Sequence, residues 1–165
     1  MDSIWNLPIF TDPIMDKQRA PSFTGLLSQS ESQSRAKRAN RARDTKPELL
    51  LRRELHKLGL RYRIDVRELA GRPDVVFPPA RIAVFCDGDF WHGRDWPRLR
   101  EQLASRANAG YWTSKIEYNR RRDEEVSGRL RAECWTVLRF WESEIRRDPA
   151  GCAVRVKSLV DSRRH

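Results

Sequence analysis

Residues 82–86 (Ile-Ala-Val-Phe-Cys) constrain the fold more than any other segment of this sequence. A short, uninterrupted apolar run of this kind predicts a β-strand without a polar face. Such a strand must be covered on both sides, as in the centre of a sheet that lies between two layers of helices. The chain is therefore predicted to form an α/β sandwich around this strand.

The remaining elements follow from capping and periodicity. Thr45 and Glu48 form a capping-box pattern, and leucines then recur at helical spacing until Gly59, which predicts a helix at residues 45–58. Other patterns predict strands at residues 61–65, 74–77, 82–86 and 135–141, and helices at residues 99–108, 115–132 and 150–160. This order describes an α/β fold with a mixed sheet.

The 165 residues have room for one domain and an appended arm. Residues 1–34 include a Ser/Gln-rich tract and show no sustained apolar period, so they are predicted to be a disordered or arm-like leader. Residues 35–165 are predicted to be the folded domain. Because no segment has the length of a membrane span or the pattern of a secretion signal, we expect a soluble, cytoplasmic protein without a membrane partner.

The charge of the chain favours a polyanionic partner. It has 33 Lys and Arg against 23 Asp and Glu, a net charge of +10, which is typical of proteins that bind nucleic acid or an anionic surface. Residues 34–43 form a basic run in which Arg38, Arg41 and Arg43 are predicted to contact a phosphate backbone. A solvated linker explains this run equally well.

Carboxylates at the ends of neighbouring predicted strands suggest metal-dependent chemistry. Asp74 opens one strand, Asp87 follows the next, and His92 lies in the loop beyond. Such carboxylates can share a Mg²⁺ ion that promotes phosphodiester hydrolysis, while an imidazole takes a proton from water. Simpler explanations exist: the two aspartates as turn residues, His92 as a structural histidine, and Glu48 as a cap bonded to the backbone N–H of Thr45.

The motifs resemble the very short patch repair (Vsr) endonucleases, a family within the PD-(D/E)xK nuclease superfamily. The matching stretches run in order and at family-like spacing through residues 34–40, 43–48, 69–74, 90–93, 112–123 and 135–142. The resemblance implies a restriction-endonuclease-like fold for residues 35–165, with a mixed β-sheet sandwiched between helices. It also implies that the chain is a DNA endonuclease.

The resemblance further implies a role for each candidate residue. Asp74 and the backbone carbonyl of Cys86 would bind Mg²⁺, Glu48 would hold a metal-bound water, and His92 would be the general base. Aromatic side chains would wedge into the base stack beside a mismatch, although core packing is their alternative role. The residues assigned to DNA contacts are Arg38, Arg41, Arg43, Phe90, Trp91, Trp112, Lys115 and Asn119. Asn119 and Asp123 are also suited to orienting the site.

The chain departs from the family pattern in two places. The positions at which the family holds a structural zinc are Asp89, Arg94, Trp96 and Ser143 here, so no zinc is predicted. We expect Arg94 to pair with a carboxylate and Trp96 to pack into the space. Asp87 stands where the family usually has histidine, and it is predicted to be an additional metal ligand with a catalytic role.

The leading hypothesis is a Mg²⁺-dependent DNA endonuclease that nicks double-stranded DNA at a G:T mismatch, with a repair protein as its partner. The first alternative is the same chemistry used in restriction or defence, with a defence partner protein. A non-catalytic DNA-binding module and an RNA-associated basic protein are further alternatives. The last of these leaves the paired carboxylates unexplained.

Overall fold

The structure, a computed structural model, describes residues 20–22 and 43–163. Within this range the elements, in chain order, are α1 (Lys46–Lys57), β1 (Val75–Phe77), β2 (Ile82–Asp87), α2 (Trp96–Ala104), α3 (Ala109–Ala132), β3 (Thr136–Trp141), α4 (Glu142–Arg147) and α5 (Pro149–Ser162). The predicted leader, apart from residues 20–22, and the side chains of Arg38 and Arg41 lie outside the described residues. Of the described helices, none has both the length and the apolar character needed to cross a membrane.

The strand predicted at residues 82–86 is the centre of the sheet. β1 pairs with β2 in antiparallel fashion, with Val75 opposite Val84, and β3 pairs with β2 in parallel, with Trp141 opposite Asp87. The strand order is β1-β2-β3, which confirms the predicted mixed sheet. Because β2 and β3 are parallel, both end at the same edge of the sheet, and antiparallel β1 begins there.

Helices cover both faces of the sheet, as the apolar character of β2 requires. On one face, α1 and α5 pack against a cluster that includes Leu51, Leu55, Val84, Phe140 and Val156. On the other face, α3 packs against a cluster that includes Val76, Ala83, Phe85, Leu130 and Trp135. Side chains of a strand alternate between its faces, so residues 83, 85 and 87 all lie on the α3 side.

The structure departs from the predicted elements in several places. The helix predicted at residues 99–108 spans Trp96–Ala104. Residues 61–65 form no ladder but one isolated bridge, between Arg63 and Val76, and Asp65 has a positive φ that interrupts extended backbone. The long helix begins at Ala109, six residues before its predicted start at residue 115. The sequence pattern does not predict α4, because six residues are too few to show a helical period.

Gly71 and Gly59 form a matched pair for measuring how tightly the turn before β1 packs against α3. Both have a left-handed φ, of +72° and +70°, which costs an L-residue about 1–2 kcal/mol. An added Cβ at Gly71 would lie 2.4 Å from Cγ1 of Val126, whereas nothing lies within 4 Å of one at Gly59. Gly71→Ala is therefore expected to lower the free energy of unfolding by about 1–3 kcal/mol more than Gly59→Ala in urea denaturation. Equal losses would contradict the close packing.

Candidate active site

A cleft of about 870 Å³ opens at the edge of the sheet where β2 and β3 end and β1 begins. Its walls come from the first turn of α1, the loop after β2, the middle of α3 and the end of β3. The lining includes all four residues predicted to be catalytic, which are Glu48, Asp74, Asp87 and His92. The fold therefore brings together side chains that lie far apart in the sequence.

Asp74 is fixed to β2 by both its backbone and its side chain. Its N–H donates to the Val84 carbonyl at 2.9 Å, and the Cys86 N–H donates to its Oδ2 at 2.7 Å. Burial raises the pKa of Asp74 to about 6; the Cys86 N–H opposes this rise, and the charges of Glu48 and Asp87 add to it. Glu48 and Asp87 each pair with an arginine, but the described residues give Asp74 no such partner.

Glu48 is buried, with 3% of its surface exposed, and accepts three hydrogen bonds. The Arg52 guanidinium and the Asp44 N–H donate to Oε2 at 2.8 and 2.9 Å, and the Thr45 hydroxyl donates to Oε1 at 2.7 Å. The simpler alternative for Glu48, a capping bond to the Thr45 N–H, is not what the structure shows, because the carboxylate accepts from the Asp44 N–H and the Thr45 hydroxyl instead. The sequence prediction missed Arg52, although an acid and an arginine four residues apart on a helix indicate a pair.

An acid from α3 fixes the imidazole of His92. Nδ1 of His92 lies 2.5 Å from Oδ2 of Asp123 and 3.7 Å from Oδ1 of Asp87. Burial would raise the pKa of Asp123, but the hydrogen bond from His92 and the charges of His92 and Arg139 hold it below its ordinary value. Asp123 is therefore an ionised carboxylate that orients the ring, and Nε2 is the ring nitrogen left for chemistry.

Asp87 is buried beside His92, and both of its carboxylate oxygens accept hydrogen bonds from Arg139. Nε of Arg139 donates to Oδ2 at 2.6 Å, and Nη2 donates to Oδ1 at 2.7 Å. Nη2 also lies 2.9 Å from Oδ1 of Asp123. Arg139 is the second residue that the sequence prediction missed, and an arginine inside the otherwise apolar segment 137–141 was the available signal.

Four aromatic side chains, Phe90, Trp91, Tyr111 and Trp112, form a cluster next to the cleft. The ring centroids of the contacting pairs lie between 5.0 and 5.8 Å apart, mostly edge to face. All four are half-buried, and Trp91 lines the cleft itself. The three predicted wedge residues, Phe90, Trp91 and Trp112, are therefore partly exposed and not sealed inside the core.

The other residues assigned to DNA lie around the same region. Nδ2 of Asn119 donates to the Trp91 carbonyl at 2.8 Å, which fastens the loop bearing His92 to α3. The Lys115 ammonium lies 5.5 Å from the centroid of the Tyr118 ring. Arg43 is exposed and pairs with Asp65 at 2.8 Å. Their contacts with DNA stay predictions.

The carboxylate of Asp89 holds the loop after β2. Nη1 of Arg94 lies 3.6 Å from Oδ1 of Asp89, and the Ser143 N–H donates to the same oxygen at 3.3 Å. This confirms the expected pairing of Arg94 with a carboxylate. The Arg120 guanidinium lies 5.7 Å from the centroid of the Trp96 ring, which packs between the loop and α3. Asp89 thus connects the loop to α4. Whether the protein binds zinc is a separate question, and the absence of zinc stays a prediction.

The chain is similar to known DNA endonucleases. Residues 27–98 match the family model described as DNA mismatch endonuclease Vsr. The chain is 42% identical over 130 residues to the type II nicking enzyme V.NmeDIP of Neisseria meningitidis serogroup C, covering 79% of this chain and 86% of the relative. It is 39% identical to the type II nicking enzyme V.HpaIIP of Haemophilus parainfluenzae, covering 77% and 89%. It is 36% identical to the DNA mismatch endonuclease Vsr of Escherichia coli strain K12, covering 70% and 72%.

The mixed sheet, the acidic cleft at its edge and these relatives define the class of protein: the chain is a DNA endonuclease with a restriction-endonuclease-like fold. The predicted alternatives of a non-catalytic module and an RNA-associated protein are therefore set aside. The chain belongs to the Vsr family.

Replacing Asp74 should show that its charge is a cost to the folded protein. Because its pKa rises from 3.8 to about 6, the folded state loses stability as pH rises through this interval, by roughly 1–3 kcal/mol in total. Asn keeps an oxygen that can accept from Cys86 but has no charge. In EDTA, Asp74→Asn is expected to be more stable than the unsubstituted protein above pH 7 and equally stable below about pH 4.

Urea denaturation across this pH range measures the difference. Asp161→Asn is the matched control, because Asp161 pairs with Lys157 on α5 outside the cleft, and it should bring no gain. A lower stability of Asp74→Asn at neutral pH would contradict the unbalanced charge.

Proposed function

We propose that this endonuclease hydrolyses one phosphodiester bond of duplex DNA at a G:T mismatch, in a Mg²⁺-dependent reaction that serves DNA repair. The observation that carries the proposal is that Asp74 and the His92–Asp123 pair line one cleft. A carboxylate available to a metal and an oriented base at one site are the elements that hydrolysis of a phosphodiester requires.

The residues present fit a Mg²⁺ ion with few protein ligands. In the part of the chain that the structure describes, no three His, Cys, Asp or Glu side chains are grouped to hold a metal. Mg²⁺ commonly keeps several waters and takes only one or two carboxylates. Asp74 would bind through the oxygen that does not accept from Cys86, and the Cys86 carbonyl would be the second ligand. When bound, the ion would neutralise charge on the phosphoryl oxygens.

The thiol of Cys86 is a poor candidate for this role. Burial, together with the charges of Asp74, Glu48 and Asp87, raises its pKa well above the ordinary value. A protonated thiol binds a hard cation such as Mg²⁺ weakly, whereas a carbonyl oxygen suits it. The backbone of Cys86, and not its side chain, is therefore the ligand in this proposal.

Glu48 and Asp87 have different roles in this proposal. The two oxygens of Glu48 can together accept one or more hydrogen bonds beyond the three they have, so Glu48 positions a water in the cleft. Both oxygens of Asp87 accept from Arg139, and we therefore replace its predicted role as a metal ligand with one in holding Arg139 beside Asp123. The metal ligands are thus reduced to Asp74 and Cys86.

His92 acts as the general base. Its Nδ1 donates to Asp123, which fixes the tautomer in which Nε2 is the acceptor. Nε2 takes a proton from the attacking water, and the carboxylate of Asp123 stabilises the imidazolium that forms. A positioned base of this kind accelerates a reaction by about 10²–10⁴-fold.

The aromatic cluster supports a mismatched substrate. Planar side chains at the edge of a cleft can wedge between base pairs, at a cost of a few kcal/mol for each unstacked step. This cost is smaller where the bases are already mispaired. The relative from Escherichia coli carries the name DNA mismatch endonuclease, which favours the same substrate.

Nicking within a restriction or defence system is the second candidate. The relatives from Neisseria and Haemophilus are named type II nicking enzymes, and both roles use the same chemistry. A panel of labelled duplexes, carrying each mismatch and common base modifications, separates the two. Preferential nicking at G:T supports repair, whereas preferential cleavage of matched or modified sites supports defence.

Substitutions in the cleft test the chemistry. On a G:T duplex with Mg²⁺, Asp74→Ala is expected to abolish nicking while DNA affinity in a gel-shift assay stays within about threefold. His92→Gln is expected to reduce kcat by about 10²–10⁴-fold. Asp161→Ala, which removes an acid outside the cleft, should nick at the normal rate. Normal nicking by Asp74→Ala would overturn the assignment of the metal ligand.

Substituting Trp91 tests the wedge. Leucine fills much of the space of the indole but cannot stack on a base, so Trp91→Leu is expected to weaken binding to a G:T duplex by about 10–100-fold. Binding to a matched duplex should change much less. Tyr62→Leu is the control, because Tyr62 packs edge-on against Phe77 away from the cleft. Fluorescence anisotropy measures both affinities, and an equal loss on both duplexes would contradict the wedge.

A further inference from the structure

Two carboxylates lie near one nitrogen of His92. Nδ1 lies 2.5 Å from Oδ2 of Asp123 and 3.7 Å from Oδ1 of Asp87. Asp87 is buried, with 5% of its surface exposed, and sits on β2 rather than on α3. An imidazole that donates to Asp87 would turn toward the sheet, and its Nε2 would then point in a different direction.

Arg139 binds Asp87, the carboxylate that His92 does not use. It donates from Nε and Nη2 to the two oxygens of Asp87, at 2.6 and 2.7 Å, in the bidentate geometry that suits a guanidinium. Nη2 lies 2.9 Å from Oδ1 of Asp123, the oxygen that His92 does not use. One guanidinium therefore bridges both acids and leaves Oδ2 of Asp123 for the imidazole.

The surroundings of Arg139 hold this bridge in place. Its Cζ lies 4.6 Å from the centroid of the Phe85 ring, directly across from it in the β2–β3 register. Nη1 lies 3.3 Å from the hydroxyl of Ser127, a buried residue of α3. The N–H groups of the guanidinium thus donate to residues of β2 and α3. Arg139 is therefore a poor candidate for binding a DNA phosphate.

We propose that Arg139 is a positioning residue that selects Asp123, and not Asp87, as the partner of His92 and thereby sets the direction of Nε2. The consequence for catalysis rests on the proposed function, in which Nε2 is the base. Without Arg139, two unneutralised carboxylates would lie together, and Asp87 would become an acceptor for Nδ1–H. The ring would then be shared between two orientations, and a misplacement of about 1 Å can cost about 10²-fold in rate.

The test combines nicking kinetics with a double-mutant cycle. Arg139→Met keeps an apolar chain against Phe85 but has no donors, and it is expected to lower kcat on a G:T duplex by about 10–100-fold with KM within about threefold. Removing the charge of the competitor should restore part of the rate, so Asp87→Asn/Arg139→Met is expected to be about tenfold faster than Arg139→Met. Arg139→Lys, which keeps the charge without the fork, should fall between Arg139→Met and the unsubstituted protein.

Arg155→Met is the matched control. Arg155 also stacks on a buried ring, with Cζ 4.9 Å from the centroid of Phe140, and pairs with Glu144 at 2.5 Å, but it lies outside the cleft. It should leave kcat unchanged. A double variant no faster than Arg139→Met, or a KM effect that accounts for the whole loss, would overturn the proposal.

A spectroscopic measurement keeps this inference separate from the proposed function. The Nδ1–H proton of His92 should give a downfield NMR resonance in the unsubstituted protein, assigned by its loss in His92→Gln. The resonance should shift or broaden in Arg139→Met and return in the double variant. If the unsubstituted protein nicks no duplex, the proposed function fails. The resonance still tests the role of Arg139, because it does not depend on nicking. If Arg139→Met folds normally and its resonance is unchanged, the proposed role of Arg139 is refuted.

Discussion

Negative charge concentrated at one edge of the sheet is the constraint on which the site depends. Glu48, Asp74, Asp87 and Asp123 all line the cleft, and carboxylates held together in a partly buried place must be balanced. Arg52 balances the first, and Arg139 balances the last two. Among the described residues, Asp74 alone of these four has no basic side chain as its partner. In our proposal the metal ion neutralises that charge, so an acid whose charge destabilises the folded protein is the one that the chemistry uses.

The two arginines also separate the cleft into two functional halves. Arg52 holds Glu48 on the α1 side, beside the carboxylate assigned to the metal, and Arg139 holds the acids that surround the imidazole. Asp87, which follows the central strand and was predicted to be a metal ligand, belongs to the second half. Asp87, which the family resemblance marks as a departure from histidine, pairs with an arginine on the neighbouring strand.

Much of the architecture could be predicted because it depends on local apolar patterns. The uninterrupted run of β2 predicts burial on both faces, and the capping box with its leucines predicts α1 to within a residue at each end. The predicted strand at residues 61–65 fails because its backbone makes a single bridge and turns at Asp65. α4 could not be predicted, since a helix of six residues is fixed by what it packs against.

The sequence by itself determined the acids and the imidazole of the candidate site, because Asp74, His92 and Asp123 stand in motifs whose order and spacing identify a nuclease family. It also determined the layers of the fold, since hydrophobic periodicity is local. Only the tertiary structure decided which group pairs with which. Nε of Arg139 and Oδ2 of Asp87 lie 2.6 Å apart although they belong to different strands, and Glu48 accepts from the backbone N–H of Asp44 rather than from that of Thr45. Ion pairs of this kind depend on strand register and on the face from which a side chain projects, and neither is written in any single segment of the chain.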